Sequence, residues 1–390
     1  MIIRRAYKFR LKISKTNAIK LSQITGSTRF VWNKALAIQK DKLEKKEKIL
    51  TYNEMSALLT QWRKEEETLF LAENSYDSQQ QKLRDLNRAI WDGLDKKIDK
   101  QFPRFKKKGR QDSFRCVGKK QFDLADDKVR VPKVGWLKFR KSRDIVGAPK
   151  NVTISKHADH WYVSIQTEFE ITDPIHGSRN SIGIDMGIAK FATCSDGTSI
   201  DPLNSFRNIE NKLAKEQRKL SRKVKFSNNW KKQNKKIQRI HKKVADARKD
   251  FLHKTSTKIT NENQVVIVED LKTSNMSKSA KGTKEFPGKN VKTKSGLNKS
   301  ILDQGWYEFS RQLEYKLKWK GGRFIKVDPK YTSQRCSSCG TVSKESRLSQ
   351  SKFFCTKCSH SLNADLNASL NILAVGQTVI ACGDISSVTN

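Results

Sequence analysis

The spacing of apolar residues changes period several times along this chain, and each change marks an element boundary. Residues 2–13 alternate weakly, as a half-buried strand does, and Arg4, Arg5, Lys8 and Arg10 make that strand basic. From 15 to 101 the spacing becomes helical. Phe30, Val31 and Leu36 supply one apolar face, and Met55, Leu58, Leu59 and Trp62 another. Leu83, Leu86, Ile90, Leu94 and Ile98 recur at steps of three and four, which predicts a helix over 79–100. Ser78 stands where its N-cap belongs, and the helix is expected to end near Pro103. From 128 to 170 the pattern turns to strands: KVRVP, GWLKFR, NVTISK and HWYVSIQTEFE, the last with Val163, Ile165 and Phe169 on one face. Together with 2–13, these strands predict a small β-barrel interrupted by a helical insertion.

Pro174 and Gly177 mark 171–179 as a linker into a second region. SIGIDMGIAKFATCSDG, at 181–197, reads as an apolar strand, a turn at Gly187 and a second strand closing on Asp196 and Gly197. Residues 211–250 predict two helices, with stripes at Leu213, Leu220 and Val224 and at Ile237, Ile240, Val244 and Phe251, broken at FSNNW, 226–230. QVVIVE, 264–269, is another strand. Residues 272–300 are polar, basic and glycine-containing, and read as a mobile loop placed to act as a lid. An amphipathic helix over 301–320 around Leu302, Trp306, Phe309 and Leu313 follows, then a turn and strand in GGRFIKVDP. A final helix carries Leu366, Leu370 and Leu373.

Charge narrows the partners. The 390 residues hold 80 Lys+Arg against 40 Asp+Glu, a net +40, and such an excess calls for a polyanion. The helical pair at 211–250 alone has 16 Lys+Arg against Glu216, Asp246 and Asp250, so Lys231, Lys232, Lys235 and Lys236 are candidate backbone contacts. FPRFKKKGRQDSFR, 102–115, interleaves cations with Phe102, Phe105 and Phe114, which adds Arg104 and Lys106 to the candidates beside Arg4 and Lys8. There is no apolar run of 18 residues, so no membrane span is expected. MIIRRAYKFRLKI lacks the apolar core of a signal peptide. An odd cysteine count, with Cys116, Cys194 and Cys382 scattered, suits a reducing compartment, so the expected location is cytoplasmic.

Three acids stand out against their surroundings. Asp185 lies inside the apolar run Ile182, Ile184, Met186 and Ile188, where its charge needs a buried partner or a divalent metal. Glu269 ends Val265–Val268, and Asp365 opens the last helix. Acids at the ends of elements far apart in sequence suit a two-metal phosphodiester site, with Asp185 as bridging ligand and two Mg2+, or Mn2+ in their place. Cys336, Cys339, Cys355 and Cys358 give C-x2-C-x15-C-x2-C, which predicts one structural Zn2+. His360 is a spare ligand. The six histidines are scattered and support no histidine-based nuclease.

IGIDMGIAKFATCSDG, VVIVEDL and the late aspartate resemble the split RuvC nuclease of the TnpB (OrfB-type) transposon-associated proteins, relatives of Fanzor proteins and compact type V CRISPR effectors. The resemblance covers essentially the whole chain and implies that Asp185, Glu269 and Asp365 are the catalytic acids. One departure is that Asn363 and Ala364 stand where the family often has a second acid and an arginine. The resemblance also implies the fold class, a multidomain α+β chain. A wedge β-barrel would take 1–14 and 102–178, and a helical-bundle recognition domain 15–101. A RuvC/RNase H-like α/β nuclease would take 179–330 and 360–390, interrupted by a zinc-ribbon finger at 331–359 for target nucleic acid. The implied partners are a guide RNA and double-stranded target DNA, with a short adjacent motif read by the protein. Tyr52, Asn53, Ser56, Ser78, Gln79 and Gln80 are chosen for that motif because their amides and hydroxyls can reach base edges. A guide-dependent repressor that does not cut, and a strand-joining transposase, are the alternatives.

Overall fold

Alternation along Ile2–Lys12 (β1) buries Ile3, Tyr7, Phe9 and Leu11 and leaves Arg4 and Lys8 outside. The computed structural model describes residues 1–110, 112–118 and 120–382, so 383–390 of the expected nuclease segment lie outside the described residues. Two units separate, Met1–Ile171 and Thr172–Asn390.

In the first unit β1 leads into three helices, Lys15–Glu44 (α1), Tyr52–Trp62 (α2) and Tyr76–Leu94 (α3). Six strands follow: Ser113–Val117 (β2), Asp123–Leu124 (β3), Lys128–Val131 (β4), Gly135–Phe139 (β5), Ala148–His157 (β6) and His160–Glu170 (β7). The sheet order is β2-β6-β7-β1-β5-β4-β3, antiparallel throughout. Strands from both ends of that order feed one core: Phe114 and Cys116 from β2, Val129 and Val131 from β4, with Phe9 stacked on Phe139 at 5.0 Å. Leu21 and Ile24 of α1 complete it. The sheet therefore curls round a single core. Among the described residues its end strands β2 and β3 are not hydrogen-bonded to each other, so the expected barrel is not closed by strand pairing.

The helices pack Val31, Leu36, Met55, Leu59, Trp62, Leu83, Leu86 and Ile90 into a second core. Thr51 and Glu54 form a reciprocal capping box on α2. The expected limits of α3 need correction. Ser75 is its cap, accepting from the Ser78 amide, while Ser78 is buried inside the first turn. The helix stops at Leu94 because the chain folds back at once. A Cβ on Gly93 would lie 2.8 Å from the Phe102 Cα, and Phe102 joins the helical core. Leu94 and Ile98, expected to be buried, are exposed. Two of the three phenylalanines in 102–115 are thus core residues, since Phe114 belongs to the sheet. Phe105 alone is exposed, with the Lys40 ammonium 5.0 Å from its ring centre.

The second unit begins with Ser181–Asp185 (β8), Ala192–Cys194 (β9) and Ser199–Ile200 (β10). The basic pair is Glu210–Ser221 (α4) and Asn228–Glu262 (α5), longer than expected at its C-terminal end. Ser227 caps α5, and Val224 is exposed in the connection instead of forming an α4 stripe. Then come Val265–Glu269 (β11), Thr273–Met276 (α6), Val291–Gln304 (α7), Trp306–Lys320 (α8) and Arg323–Val327 (β12). The finger hairpin is Lys352–Phe354 (β13) with Ser361–Asn363 (β14), and Ala364–Ala381 (α9) closes the described chain. β14 lies past the expected finger limit of 359, paired with β13. The expected loop at 272–300 contains α6 and most of α7. Side-chain bonds to backbone hold it: Lys294 Nζ donates to Met276 O at 2.7 Å, and Asn298 Nδ2 to Ser277 O at 3.0 Å. Gly305, at φ 73°, splits the expected helix at 301–320 into α7 and α8.

The sheet order is β10-β9-β8-β11-β12, with β8, β11 and β12 parallel and β9 and β10 antiparallel. Ile182, Ile184, Val266 and Val268 pack with Leu252 and Ile259 of α5 and Phe309, Leu313 and Leu317 of α8. On α9, Ile372 meets Ile267 and Val327. Gly183 decides how close α9 comes. A Cβ there would lie 2.6 Å from Leu373 N and closer still to Ser369 O, both backbone atoms that cannot swing aside. Gly183→Ala is expected to lower stability by about 1–3 kcal/mol, as overpacking does. A denaturant titration measures it, and a drop below about 0.5 kcal/mol would show that α9 is free to shift.

Candidate active site and metal centre

Ile184 and Val268 are neighbours in the parallel β8–β11 ladder, and the next residue of each strand is an acid. Parallel strands put both at the same edge of the sheet, so Asp185 and Glu269 sit side by side. Asp365 comes from the first turn of α9, one turn before Ser369, the residue that rides on Gly183. Asn363 fixes that turn: its Oδ1 accepts from the amides of Asp365 at 3.0 Å and Leu366 at 3.2 Å. The position where the family often has a second acid therefore serves here as the N-cap that aims Asp365. Burial, then the charges of Glu269 and Asp365, push the Asp185 carboxyl up to about 7 from 3.8, while Arg347 pulls the other way. Burial also raises Glu269, against a hydrogen bond from Thr332 and the charge of Arg347. The three carboxylates repel one another in a half-buried place, and oxygen donors so arranged fit hard divalent cations.

Two features, apart from Asn363, have no counterpart among the residues singled out from the sequence. Arg347, on the polar segment leading into β13, faces both Asp185 and Glu269. No local pattern marks it among the cations of KESRLSQSK. The other feature is an asparagine row at 363, 367 and 371, four apart on α9, which is a visible signal. Asn367 Nδ2 donates to Arg335 O at 2.8 Å and its Oδ1 accepts from Ser337 N at 2.9 Å. Asn371 Nδ2 donates to Thr332 O at 2.9 Å, and the Thr332 hydroxyl donates to Glu269 Oε1 at 2.5 Å. The base of the finger and the acid edge of the sheet are thereby tied to one helix. A cleft of about 170 Å³, lined in part by Met186, Trp306, Tyr307 and Arg311, opens beside Glu269.

The sulfurs of Cys336, Cys339, Cys355 and Cys358 all lie within 4.8 Å of one another. Cys336 and Cys358 are 3.7 Å apart, and Cys339 and Cys355 3.6 Å. A tetrahedral ion with metal–sulfur bonds of about 2.3 Å needs sulfur separations of about 3.8 Å, so the donor set fits one. The knuckles are built alike. Cys336 N donates to Thr341 O and Cys355 N to His360 O, both at 2.9 Å, with Gly340 and Ser359 at positive φ. Among the described residues the three carboxylates are not drawn together as tightly as the sulfurs, and Glu269 accepts from Thr332.

The residues chosen for the DNA motif divide. Tyr52, Ser56 and Gln80 meet across α2 and α3: the Tyr52 hydroxyl donates to Gln80 Oε1, and Gln80 Nε2 donates to Ser56 Oγ at 2.6 Å and to the Tyr76 hydroxyl at 2.7 Å. Asn53 is exposed nearby. Ser78 and Gln79 are buried and committed to the fold, Gln79 bonding Arg63 and Leu71 O, so they present nothing to DNA. Of the backbone candidates, Lys231, Lys232, Lys235 and Lys236 are all exposed, and Lys236 also pairs at 3.1 Å with buried Glu216. Arg4 is exposed beside Glu168, Lys8 lies 4.9 Å from the Tyr162 ring centre, and Arg104 donates to Gln101 Oε1. Lys106 is half-buried on Trp32, 4.0 Å from its ring centre.

Comparison with known proteins shows the family and the fold. Residues 164–280 match the family described as "Probable transposase" (OrfB of IS605), and 306–372 match "Cas12f1-like, TNB domain". Residues 1–48 match a family described as "Helix-turn-helix domain", although here they form β1 and the single 30-residue helix α1. "Putative RNA-guided DNA endonuclease InsQ" of Escherichia coli K12 is 48 % identical over 97 % of this chain and 94 % of its own length. A "Putative RNA-guided DNA endonuclease" of Streptomyces pristinaespiralis is 35 % identical over 98 % and 92 %. The solved Cas12f1–sgRNA–target DNA complex shares the fold at a TM-score of 0.52 and 14 % identity, over 95 % of this chain and 98 % of that one. The fold is thus that of a compact Cas12-like nuclease. The chain belongs to the TnpB (OrfB-type) family.

The raised Asp185 pKa has a sign that can be tested. Its protonated form is favoured on folding, so its contribution to stability is complete below pH 3.8 and is lost as pH rises towards about 7. Without added divalent metal, Asp185→Asn is expected to be more stable than the parent at neutral pH by roughly 2–4 kcal/mol and equal to it at acid pH. Chemical denaturation across pH measures the difference. Equal stabilities at pH 7 would mean that Asp185 is not under strain.

Proposed function

We propose that this chain is a transposon-encoded RNA-guided DNA endonuclease. It binds a guide RNA, reads a short motif beside the target and hydrolyses target DNA in a single site built from Asp185, Glu269 and Asp365. The observation that carries this reading is the meeting of those acids from β8, β11 and α9 in a chain with near full-length relatives of that description. The sheet order, with three parallel and two antiparallel strands, supports a RuvC/RNase H-like domain, and the curled seven-stranded sheet a wedge barrel around the helical recognition insertion. No helix among the described residues is long and apolar enough to cross a membrane, and the cytosol or nucleoid is where an enzyme acting on DNA would work.

The three carboxylates would hold two Mg2+, or Mn2+, which when bound lower the pKa of water and stabilise the leaving oxygen. Asn363 keeps Asp365 directed at that site, and Thr332 orients Glu269. Arg347, the cation facing the acids, can donate to a phosphate oxygen and offset the repulsion between DNA and carboxylates. The cysteine quartet would hold one Zn2+ with no open position, so its part is to fold the finger that carries Arg347. The Tyr52–Gln80–Ser56 face is the part suited to read the motif, with Asn53 beside it. The description of the family as a transposase favours strand joining as a second reading. A strand-transfer assay on transposon ends separates it, and a repressor that does not cut would need none of the three acids.

Three outcomes follow. Asp185→Ala should reduce Mg2+-dependent cleavage by at least about a thousandfold while nucleic-acid binding changes less than about threefold, because the change removes a metal ligand and leaves the phosphate-binding cations in place. Full cleavage by that variant would remove Asp185 from the site. Elemental analysis of protein purified without chelator should find about one zinc per chain, absent when Cys336 and Cys339 become Ser. A metal-free parent would contradict this. Replacing Lys231, Lys232 and Lys235 with Gln, and sparing Lys236 because it neutralises Glu216, should flatten the logarithmic salt dependence of RNA binding by roughly 0.7–0.9 for each phosphate no longer neutralised. An unchanged slope would make them a merely solvated face.

A further inference from the structure

One buried cation serves neither the acid site nor the packing around it. Lys82 of α3 is 8 % exposed, yet among the described residues its ammonium has no hydrogen bond or ion pair. Burial, then the charge of Lys106, push it down to about 8, and Arg115 adds to this while Asp85 opposes it. The acids nearby are already engaged. Asp112 takes Arg29 Nη1 at 2.9 Å, and Asp85 takes Arg115 Nη2 at 2.7 Å. Arg115 Nε is itself buried with no acceptor.

The surroundings are fixed before any ligand arrives. Trp32 Nε1 donates to Arg104 O at 3.1 Å, and Asn33 grips Lys106 from both sides, accepting from its amide at 2.8 Å and donating to its carbonyl at 3.0 Å. Lys106 is thus held over Trp32 at the edge of a shallow depression that Lys82, Arg29, Arg110 and Asp112 also line. Gathering these cations costs free energy that an apolar residue at 82 would spare. An unpaired ammonium lining a depression of about 10 Å³, with further cations at its rim, is suited to one acceptor oxygen of an anion seated across that rim.

We propose that this depression is a preformed phosphate site that takes one phosphodiester of the bound nucleic acid. Lys82 is its buried donor, and Lys106 and Arg110 close on the same group from the rim. The proposal rests on the nucleic-acid reading above for the source of the phosphate. The guide RNA and the target DNA carry the same group, and the test separates them.

Lys82→Met keeps the side-chain volume and removes the charge. Binding is measured over a salt series to three probes of about 20 nucleotides or base pairs: a single-stranded RNA, a DNA duplex and an RNA–DNA hybrid. The variant is expected to bind at least one probe about tenfold more weakly, with a salt slope shallower by roughly 0.7–0.9, while its Tm is equal to or above the parent's. Weaker binding to RNA alone assigns the site to the guide, and weakening confined to the DNA-containing probes assigns it to the target. Unchanged affinity and slope on all three probes overturn the site while leaving the endonuclease reading intact. A parent that binds none of the probes overturns both. If Lys82→Met folds poorly, Arg110→Gln on the exposed rim is read the same way, and an unchanged slope there counts against the site equally.

Discussion

The arrangement of the acids in the second unit depends on how closely a helix can lie on a strand. Gly183 has no side chain, so the backbone of α9 rests directly on β8, and one turn earlier Asp365 faces Asp185. A methyl group at 183 would meet the backbone of α9 at Ser369 and Leu373 and push the two elements, with their acids, apart. The close approach also explains the electrostatics. Two acids at the edge of parallel strands and a third brought over them cannot all be ionised at low cost, and the strain falls on the most buried, Asp185. The same repulsion would favour capture of a divalent cation between the carboxylates.

The finger is more than an appendage to this arrangement. Asn367 and Asn371 hold the backbone at Thr332 and Arg335, just before the first cysteine knuckle, and Thr332 reaches Glu269. One face of α9 thus fixes three things together: the third acid, the orientation of the second, and the base from which Arg347 approaches. A metal held by the four cysteines would steady Arg347 directly and Glu269 through Thr332. The acid site and the cysteine site are chemically separate and mechanically joined.

Much of this is legible in the sequence, for identifiable reasons. An unpaired acid ending an apolar strand is conspicuous because burial without compensation is costly, and Asp185 and Glu269 stand out on that ground. The four cysteines need only their spacing. What stays hidden depends on interactions between distant segments. Arg347 sits in a polar stretch with no periodicity, and only the fold brings it to the acids. Ser75 and Ser78 are three apart, so either could cap α3, and packing that buries Ser78 makes the choice. Gln79 looks free to read DNA until Arg63 and Leu71 claim it. The stretch at 272–300 has poor helix formers, and α7 within it leans on bonds to α6, out of sight of local propensity. Lys82 looks like an ordinary solvated lysine on an amphipathic helix.

The central claim is that one three-acid site cuts DNA where an RNA directs it. The most direct measurement is to purify the protein with the RNA it carries, replace the segment of that RNA that pairs with DNA, and map cleavage in Mg2+ on a DNA holding both the old and the new target. The account predicts that the cut moves to the new target and requires the RNA. Cleavage that stays at the old position, or proceeds equally well after the RNA is removed, would contradict it.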